Sequence, residues 1–162
     1  MRIRRAELAD VPEILALIRE LATYERAEEE AKATPEQLTA VLFGEQPTVL
    51  CEMLEVEGSV AGFALWFLNF STWTGSYGIY LEDLFIRPEY RHRGYATELL
   101  QHLAQECVEQ GYARFQWSVL DWNEPAISFY QSLGAVAMDE WMTYRLAGPA
   151  LGAFAAREKS AN

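Results

Sequence analysis

The sequence predicts an α/β fold in which helices flank a mixed sheet. Strand-like segments alternate along the chain with amphipathic helical segments, and turn-forming residues separate them. The predicted order of elements is β-α-α-β-β-β-α-β-α-β-β. In sheets of this class, ligands bind at the carboxyl ends of the central strands. The candidate functional segments are therefore expected at that edge.

Caps, turns and periodicity place the boundaries of these elements. Asp10 and Pro12 open the first helix, and Thr34-Pro35-Glu36-Gln37 has the pattern of a capping box. Strands are predicted at residues 1–5, 49–56, 60–70, from 80 onward, and at 115–120, 136–138 and 141–146. Helices are predicted up to residue 24, at 35–43, 97–110 and 126–133, and in the tail from 149.

Length and composition favour one globular domain spanning residues 1–162, with a core of 1–147 and a tail of 148–162. The chain has 162 residues, of which 51% are hydrophobic and 23% charged. It has no run of eighteen apolar residues and no signal-peptide core near Met1. We therefore expect a cytoplasmic protein without membrane contact. Cys51 and Cys107 are expected to be buried apolar residues, and no cluster suggests a metal.

The net charge of −11 bears on the class of partner. Nucleic acids and anionic membranes select clusters of Lys and Arg, so neither is expected as a partner. A cationic substrate would be attracted. Many proteins are acidic for solubility alone, and the charge by itself does not separate these explanations.

The most informative stretch is 80–100, where a strand leads through a small-residue loop into a helix. Unpaired N–H groups and the positive end of the helix dipole converge at such a junction and bind anions. The spacing excludes a P-loop and the three-glycine dinucleotide pattern. The phosphates of another nucleotide-like cofactor are the expected ligand.

The loop Arg91–Ala96 reads Arg-x-x-Gly-x-Ala and resembles the coenzyme A pyrophosphate motif of the GNAT N-acetyltransferases. Further segments resemble the diamine (spermidine/spermine) and thialysine branches of that superfamily, in order from Met1 to about Leu146. They are LATYE (21–25), FSTWTG (70–75), YLED (80–83) and DWNEP-x-I-x-FY (121–130). The resemblance implies a mostly antiparallel central sheet, acetyl-CoA as co-substrate and a homodimer that uses the C-terminal strands.

The resemblance also implies which residues contact the cofactor. A bulge in the central strand would free main-chain donors of Leu84, Phe85 and Ile86 for the pantetheine and acetyl groups. Backbone donors for the pyrophosphate would come from the loop, and Asn123 would contact the cofactor or fix the splay between strands. The loop donors are Arg91, Arg93, Gly94, Tyr95 and Ala96. Ala126 stands where the diamine enzymes commonly have Ser, so a hydroxyl contact is absent there.

Acetyl transfer to an amine needs a base, because amines with pKa values near 10 are mostly protonated at neutral pH. Glu82 is the candidate base. In the resembling enzymes the matching glutamate removes the proton through water, and the residue matching Asp83 helps to hold the cationic substrate. The alternative is that an adjacent acidic pair places one residue on each face of a strand, leaving one of them merely solvated.

Tyr130 is the candidate general acid, because GNAT enzymes place a tyrosine near the coenzyme A sulfur and a phenol can protonate a departing thiolate. The alternative is a core aromatic of an amphipathic helix, as expected for its neighbour Phe129.

The predicted function is direct acetyl transfer from acetyl-CoA to a primary amine of a small cationic substrate, either a polyamine, a diamine or a thialysine-like molecule. Tyr24, Glu25 and Trp73, together with Glu82 and Asp83, would bind that substrate. The alternatives are an acetyltransferase of the same fold acting on protein amines, and a non-catalytic acyl-CoA-binding module. The module would not need Glu82 and Tyr130 together.

Overall fold

The computed structural model describes residues 1–157. The helices are α1 (Val11–Tyr24), α2 (Pro35–Phe43), α3 (Tyr95–Glu109), α4 (Glu124–Ser132) and α5 (Gly148–Ala155). The strands are β1 (Arg2–Arg5), β2 (Leu50–Val56), β3 (Ser59–Ser71), β4 (Ser76–Ile86) and β5 (Phe115–Trp117). Single turns of 3₁₀-helix lie at Leu8–Asp10, Glu28–Glu30 and Pro88–Tyr90. None of the helices in residues 1–157 has the length and apolarity needed to cross a membrane.

The strands form one sheet in the order β1-β2-β3-β4-β5. The first four pair antiparallel, and β5 pairs parallel to β4. Glu57 and Gly58 join β2 to β3 with φ values of 53° and 82°. Two consecutive left-handed residues give a turn whose twist matches that of the strands, which explains the tight hairpin predicted here. The expected mixed, mostly antiparallel sheet is confirmed.

Helices α1 and α2 cover one face of this sheet. Ile14 and Leu17 of α1 are fully buried and belong to one apolar cluster with Met53, Phe63 and Phe85, which face each other on β2, β3 and β4. Alternate strand residues point to opposite faces. The neighbouring buried residues, such as Leu54, therefore form a second layer on the other face of the sheet.

Helix α3 covers that second face. Its residues Leu99 and Leu103 are fully buried. Beneath the helix lies a carboxylate, Glu52, which is only 2% exposed and pairs with Arg5 at 3.2 Å and with His102 of α3 at 3.8 Å. Burial raises the pKa of Glu52, and the positive charge of Arg5 opposes this shift. These contacts connect α3 to the two strands farthest from β5.

The ends of several helices and strands differ from the predicted ones. The connection between the strands predicted at 60–70 and from 80 onward shortens to 72–75, because β3 reaches Ser71 and β4 starts at Ser76. Helix α3 begins at Tyr95 instead of Thr97, since Gly94 takes the N-cap position. Strand β5 ends at Trp117, three residues before the predicted end at Leu120.

The predicted final strand pair, 136–138 and 141–146, is wrong for the structure described here. Neither segment is a strand. Their apolar residues alternate as in strands, yet Val136 is 82% exposed, Met142 78% and Tyr144 87%. A strand exists only where a neighbouring backbone completes its hydrogen bonds, and periodicity in the sequence does not supply that neighbour.

The chain separates into two compact units, one from Met1 to Ser118 and the other from Val119 onward. The first contains the whole sheet and α1 to α3. The second contains α4 and α5.

Candidate active site

A bulge in β4 determines where the predicted acidic pair points. Leu65 of β3 faces Asp83, but the next residue, Trp66, faces Leu81, so Glu82 has no opposite residue. In a regular strand Leu81 and Asp83 would share a face. The extra residue instead places Asp83 on the face that α1 covers, together with Leu65 and Phe85. The sheet thus has the irregularity that the resemblance implies for the central strand.

Three carboxylates lie near one another at this bulge. Asp83 is partly buried, and that burial, followed by the negative charges of Glu82 and Glu25, raises its pKa to about 6. Burial also raises the pKa of Glu25. Burial and like charge both disfavour the ionised form of Asp83, and a cation beside it would favour that form. Of the predicted substrate residues, the structure brings Glu25, Glu82 and Asp83 together.

The end of α1 carries Tyr24 and places Glu25 in this cluster. The N–H of Ala27 donates to the carbonyl of Ala22 at 2.9 Å, and that of Arg26 donates to Thr23 at 3.2 Å. This pair of bonds is a Schellman motif, in which the residue after the cap is left-handed. Arg26 holds that position with φ of 60°, although glycine is usual there. The motif ends the helix sharply and sets the direction of Glu25.

The sheet opens beside the bulge. Pairing between β4 and β5 runs from Ile79 and Phe115 to Leu81 and Trp117, where β5 ends. From Asp83 to Ile86, β4 is paired within residues 1–157 on its β3 side alone. Peptide groups on the open side can bond to a ligand that lies along the strand as another strand would. The main-chain contacts predicted for residues 84–86 would lie on this edge.

The predicted cofactor loop leads into the first turn of α3. His92 and Gly94 are left-handed, with φ values of 59° and 82°. The first N–H groups of a helix have no acceptor within the helix. At α2 the Thr34 side chain accepts one of them from Gln37, whereas Gly94, as N-cap of α3, has no side chain to do so. Apart from Gly94 itself and its two neighbours in the chain, no atom of the described residues lies within 4 Å of a Cβ built on Gly94. The junction therefore has the donors, the dipole and the room that a pyrophosphate needs.

The side chain of Arg91 lies away from this junction. Its Nε donates to the carbonyl of Ile86 at 2.8 Å, and its guanidinium lies over the rings of Tyr24 at 4.8 Å and Phe85 at 5.3 Å. Arg93 is exposed. The family resemblance implies backbone donors alone for both arginines, and the contact of Arg91 with α1 was not predicted from the sequence. No local pattern signals a contact between residues so far apart in the sequence.

Trp73 lies far along the hairpin from the carboxylates. It is 86% exposed in the turn between β3 and β4. Asp83 is seven residues beyond the start of β4 at Ser76, which places the turn roughly 20–25 Å away along the strand. Its predicted role as a wall of the substrate pocket therefore stays a prediction.

The other two predicted residues belong to the second unit. Asn123 is the N-cap of α4, and its side-chain oxygen accepts a hydrogen bond from the N–H of Ala126 at 3.4 Å. Tyr130 lies in the last turn of α4, partly buried, with its ring 5.4 Å from that of Phe129. Both roles, cofactor contact and general acid, stay predictions.

Comparisons with known proteins identify the family. Residues 12–135 match the model of the acetyltransferase (GNAT) family. The chain is 36% identical over 167 residues to a thialysine N-epsilon-acetyltransferase of Mus musculus, covering 96% of this chain and 98% of that protein. It is 32% identical to an L-ornithine N5-acetyltransferase of Arabidopsis thaliana, with 94% of this chain and 86% of that protein covered.

Among solved structures, an integron cassette protein from the mobile metagenome of V. cholerae is similar throughout. The TM-score is 0.81 at 27% identity, and the match covers 96% of this chain and 98% of that one. The family match, the relatives and the shared fold agree with the bulged strand and the loop before α3. The chain belongs to the acetyltransferase (GNAT) family and is an acyltransferase.

Proposed function

We propose that the chain transfers an acetyl group from acetyl-CoA directly to a primary amine of a small molecule that carries a second positive charge. The observation that supports this most is the cluster of Glu25, Glu82 and Asp83 at the bulge. Burial and mutual repulsion raise the pKa of Asp83 to about 6, and the positive charge of a bound ammonium would oppose this shift. A neutral or anionic acceptor would gain nothing from this arrangement.

The names of the relatives support a substrate with two positive charges. One acts on thialysine and the other on L-ornithine. Each of these molecules has two amino groups separated by a short chain. With three carboxylates at the site, one can attract the reacting amine while another pairs with the distant ammonium. Polyamines likewise have amino groups separated by short chains and remain within the proposed class.

Glu82 is the proposed base. As the extra residue of the bulge it is exposed, so a water molecule can lie between its carboxylate and the amine. Asp83 and Glu25 would hold the ammonium and orient its nitrogen. A proton must leave the nitrogen before it can attack, since the amine is mostly charged at neutral pH.

The residues present fit coenzyme A. The first turn of α3 would bind the pyrophosphate through backbone donors between Arg91 and Ala96, and the open edge of β4 would bind the pantetheine. Acetyl-CoA supplies the activated acetyl thioester. Main-chain donors of residues 84–86 would bond to the thioester oxygen as negative charge develops there. Tyr130 would donate a proton to the sulfur, and Asn123 would contact the cofactor.

Direct transfer is proposed over a covalent enzyme intermediate. Cys51 is 1% exposed and Cys107 is 6% exposed, and burial raises the pKa of both thiols. A nucleophilic cysteine needs an accessible thiolate, which these environments disfavour.

The proposal includes a single cytoplasmic acetyltransferase domain that forms a homodimer. The match at residues 12–135 extends across the boundary between the two compact units, which supports one domain. The exposed apolar side chains of 136–146 support an interface, because a second chain could cover them and complete their backbone hydrogen bonds. The molar mass of the protein in solution, measured by light scattering, tests this part.

The experiment that tests the function compares kcat/KM for three acceptors: 1,4-diaminobutane, butylamine and a lysine-containing peptide. The diamine should exceed the monoamine by about 5- to 150-fold, the scale of one charge-assisted contact. Equal kcat/KM values for the diamine and the monoamine would contradict a pocket that binds two positive charges. A preference for the peptide would favour a protein acetyltransferase, and no transfer to any amine would favour a non-catalytic binding module.

A further inference from the structure

We propose that the side chain of Arg91 is a positioning residue that connects the cofactor loop to the amine pocket and holds the end of α1 in place for amine binding. This proposal rests on the proposed function, because it assigns the loop to coenzyme A and the end of α1 to the amine. It concerns the side chain alone and gives Arg91 a role beyond its backbone.

The geometry links three elements through one guanidinium. Arg91 follows the turn after β4 and starts the cofactor loop. Its Nε–H bonds to the last residue of β4, Ile86, at 2.8 Å, while its planar group lies 4.8 Å from the ring centre of Tyr24 in the last turn of α1. Phe85, which is 4% exposed, lies on the same cation at 5.3 Å. A shift of the loop must therefore move either the end of β4 or the end of α1.

Electrostatics favour this placement. The carbonyl end of a helix has a partial negative charge, so a cation beside the last turn of α1 is stabilised. An aromatic face attracts a cation as well, and a guanidinium can stack on a ring while donating hydrogen bonds in its own plane. Lysine has neither a planar group nor a donor at the Nε position. Substitution by lysine would therefore keep the charge and lose the geometry.

The rest of α1 is held independently of Arg91. Arg87, the residue after β4, pairs with Glu13 at 2.7 Å and with Glu20 at 2.8 Å, and it donates to the carbonyl of Val60. Leu17 and Leu21 of α1 are also buried. Loss of the Arg91 side chain should leave α1 in place and affect mainly its last turn, where Tyr24 and Glu25 lie.

Arg93 provides the contrast within the loop. It is exposed two residues farther along, next to the N-cap of α3. A cation in that position attracts phosphate by charge. If Arg91 acted in the same way, the two arginines would respond alike to substitution by lysine and glutamine.

The test measures coenzyme A affinity by calorimetry without amine, and the KM for the diamine at saturating acetyl-CoA. In Arg91→Lys and Arg91→Gln we expect the diamine KM to rise about 5- to 30-fold, while coenzyme A affinity changes less than about threefold. Arg93→Gln should show the opposite pattern, with weaker coenzyme A binding and an unchanged diamine KM. Tyr24→Leu should raise the KM as the Arg91 variants do. The double variant Arg91→Lys with Tyr24→Leu should be no worse than the worse single variant.

The proposal is overturned if Arg91→Lys leaves both the coenzyme A affinity and the diamine KM unchanged. It is also overturned if the Arg91 variants lose coenzyme A affinity at unchanged diamine KM. Additive effects of the Arg91 and Tyr24 substitutions on KM would be a third contrary result. Failure of the proposed function gives a separate result, in which the unmodified protein acetylates no amine. The contact can then still be tested by the same double-mutant cycle on the free energy of unfolding. An additive cycle there would also overturn the proposal.

Discussion

Asp83→Asn should make the protein more stable and less able to bind an amine. The pKa of Asp83 rises from 3.8 to about 6 in the folded chain, so the native state holds this proton more tightly than the unfolded chain does. Stability therefore falls as pH rises between these two values and stays lower above them. Asparagine has nearly the same shape and does not ionise, so it removes this penalty.

The expected gain follows from the two pKa values. At about 1.4 kcal/mol for each pKa unit, the free energy of unfolding of Asp83→Asn should exceed that of the unmodified protein by up to about 3 kcal/mol at about pH 7.5. The difference should shrink to about 1 kcal/mol at about pH 4.5, where most of the native carboxyl is protonated. Solvent reaches part of this side chain and reduces both figures without changing the trend.

Urea unfolding of both proteins across this pH range measures the difference directly. Glu45→Gln serves as the control, since Glu45 is exposed and lies outside both the site and the proposed interface, so its substitution should give a small difference at all pH values. Glu82→Gln should lower the pKa of Asp83 by removing a negative neighbour, and with it part of the penalty. Equal stability of Asp83→Asn and the unmodified protein at about pH 7.5, or a gain that does not depend on pH, would refute the reasoning. If Asp83→Asn is more stable and has a raised diamine KM, then Asp83 lowers the stability of the folded protein while it contributes to binding, as is typical of functional sites.

Two further predictions concern the cofactor and the leaving group. Gly94→Trp should abolish coenzyme A binding in a folded protein, measured by calorimetry. Gly58→Trp is its matched control, because both glycines have φ of 82° with open space around them. If Gly94→Trp still binds coenzyme A with unchanged affinity, the loop before α3 is not the cofactor site. Tyr130→Phe should lower kcat by roughly 10²–10⁴ with coenzyme A affinity retained, the usual scale of acid catalysis. Tyr112→Phe is the control and should leave kcat unchanged. If the kcat of Tyr130→Phe lies within a factor of two of that of the unmodified protein while chemistry is rate-limiting, Tyr130 is a packing residue.

The sequence alone determined the features that depend on near neighbours. The capping box at Thr34 and Gln37 forms as predicted, with Thr34 accepting from the N–H of Gln37 and Gln37 accepting in return. The Glu57-Gly58 turn also lies where the sequence places it. The loop before α3 is present as predicted, but it ends at Gly94, two residues earlier than predicted. Local bonds and backbone preferences fix such features within a few residues, so the pattern of residue types contains the information.

Only the tertiary structure decided the features that depend on distant partners. The face on which Asp83 lies depends on the register between β3 and β4, and one extra residue at Glu82 reverses it. The direction of the Arg91 side chain depends on where the end of α1 packs. The apolar alternation of 136–146 predicts strands, yet the described chain provides no pairing partner there. In each case the deciding interaction joins segments far apart in sequence, and local periodicity contains no record of it.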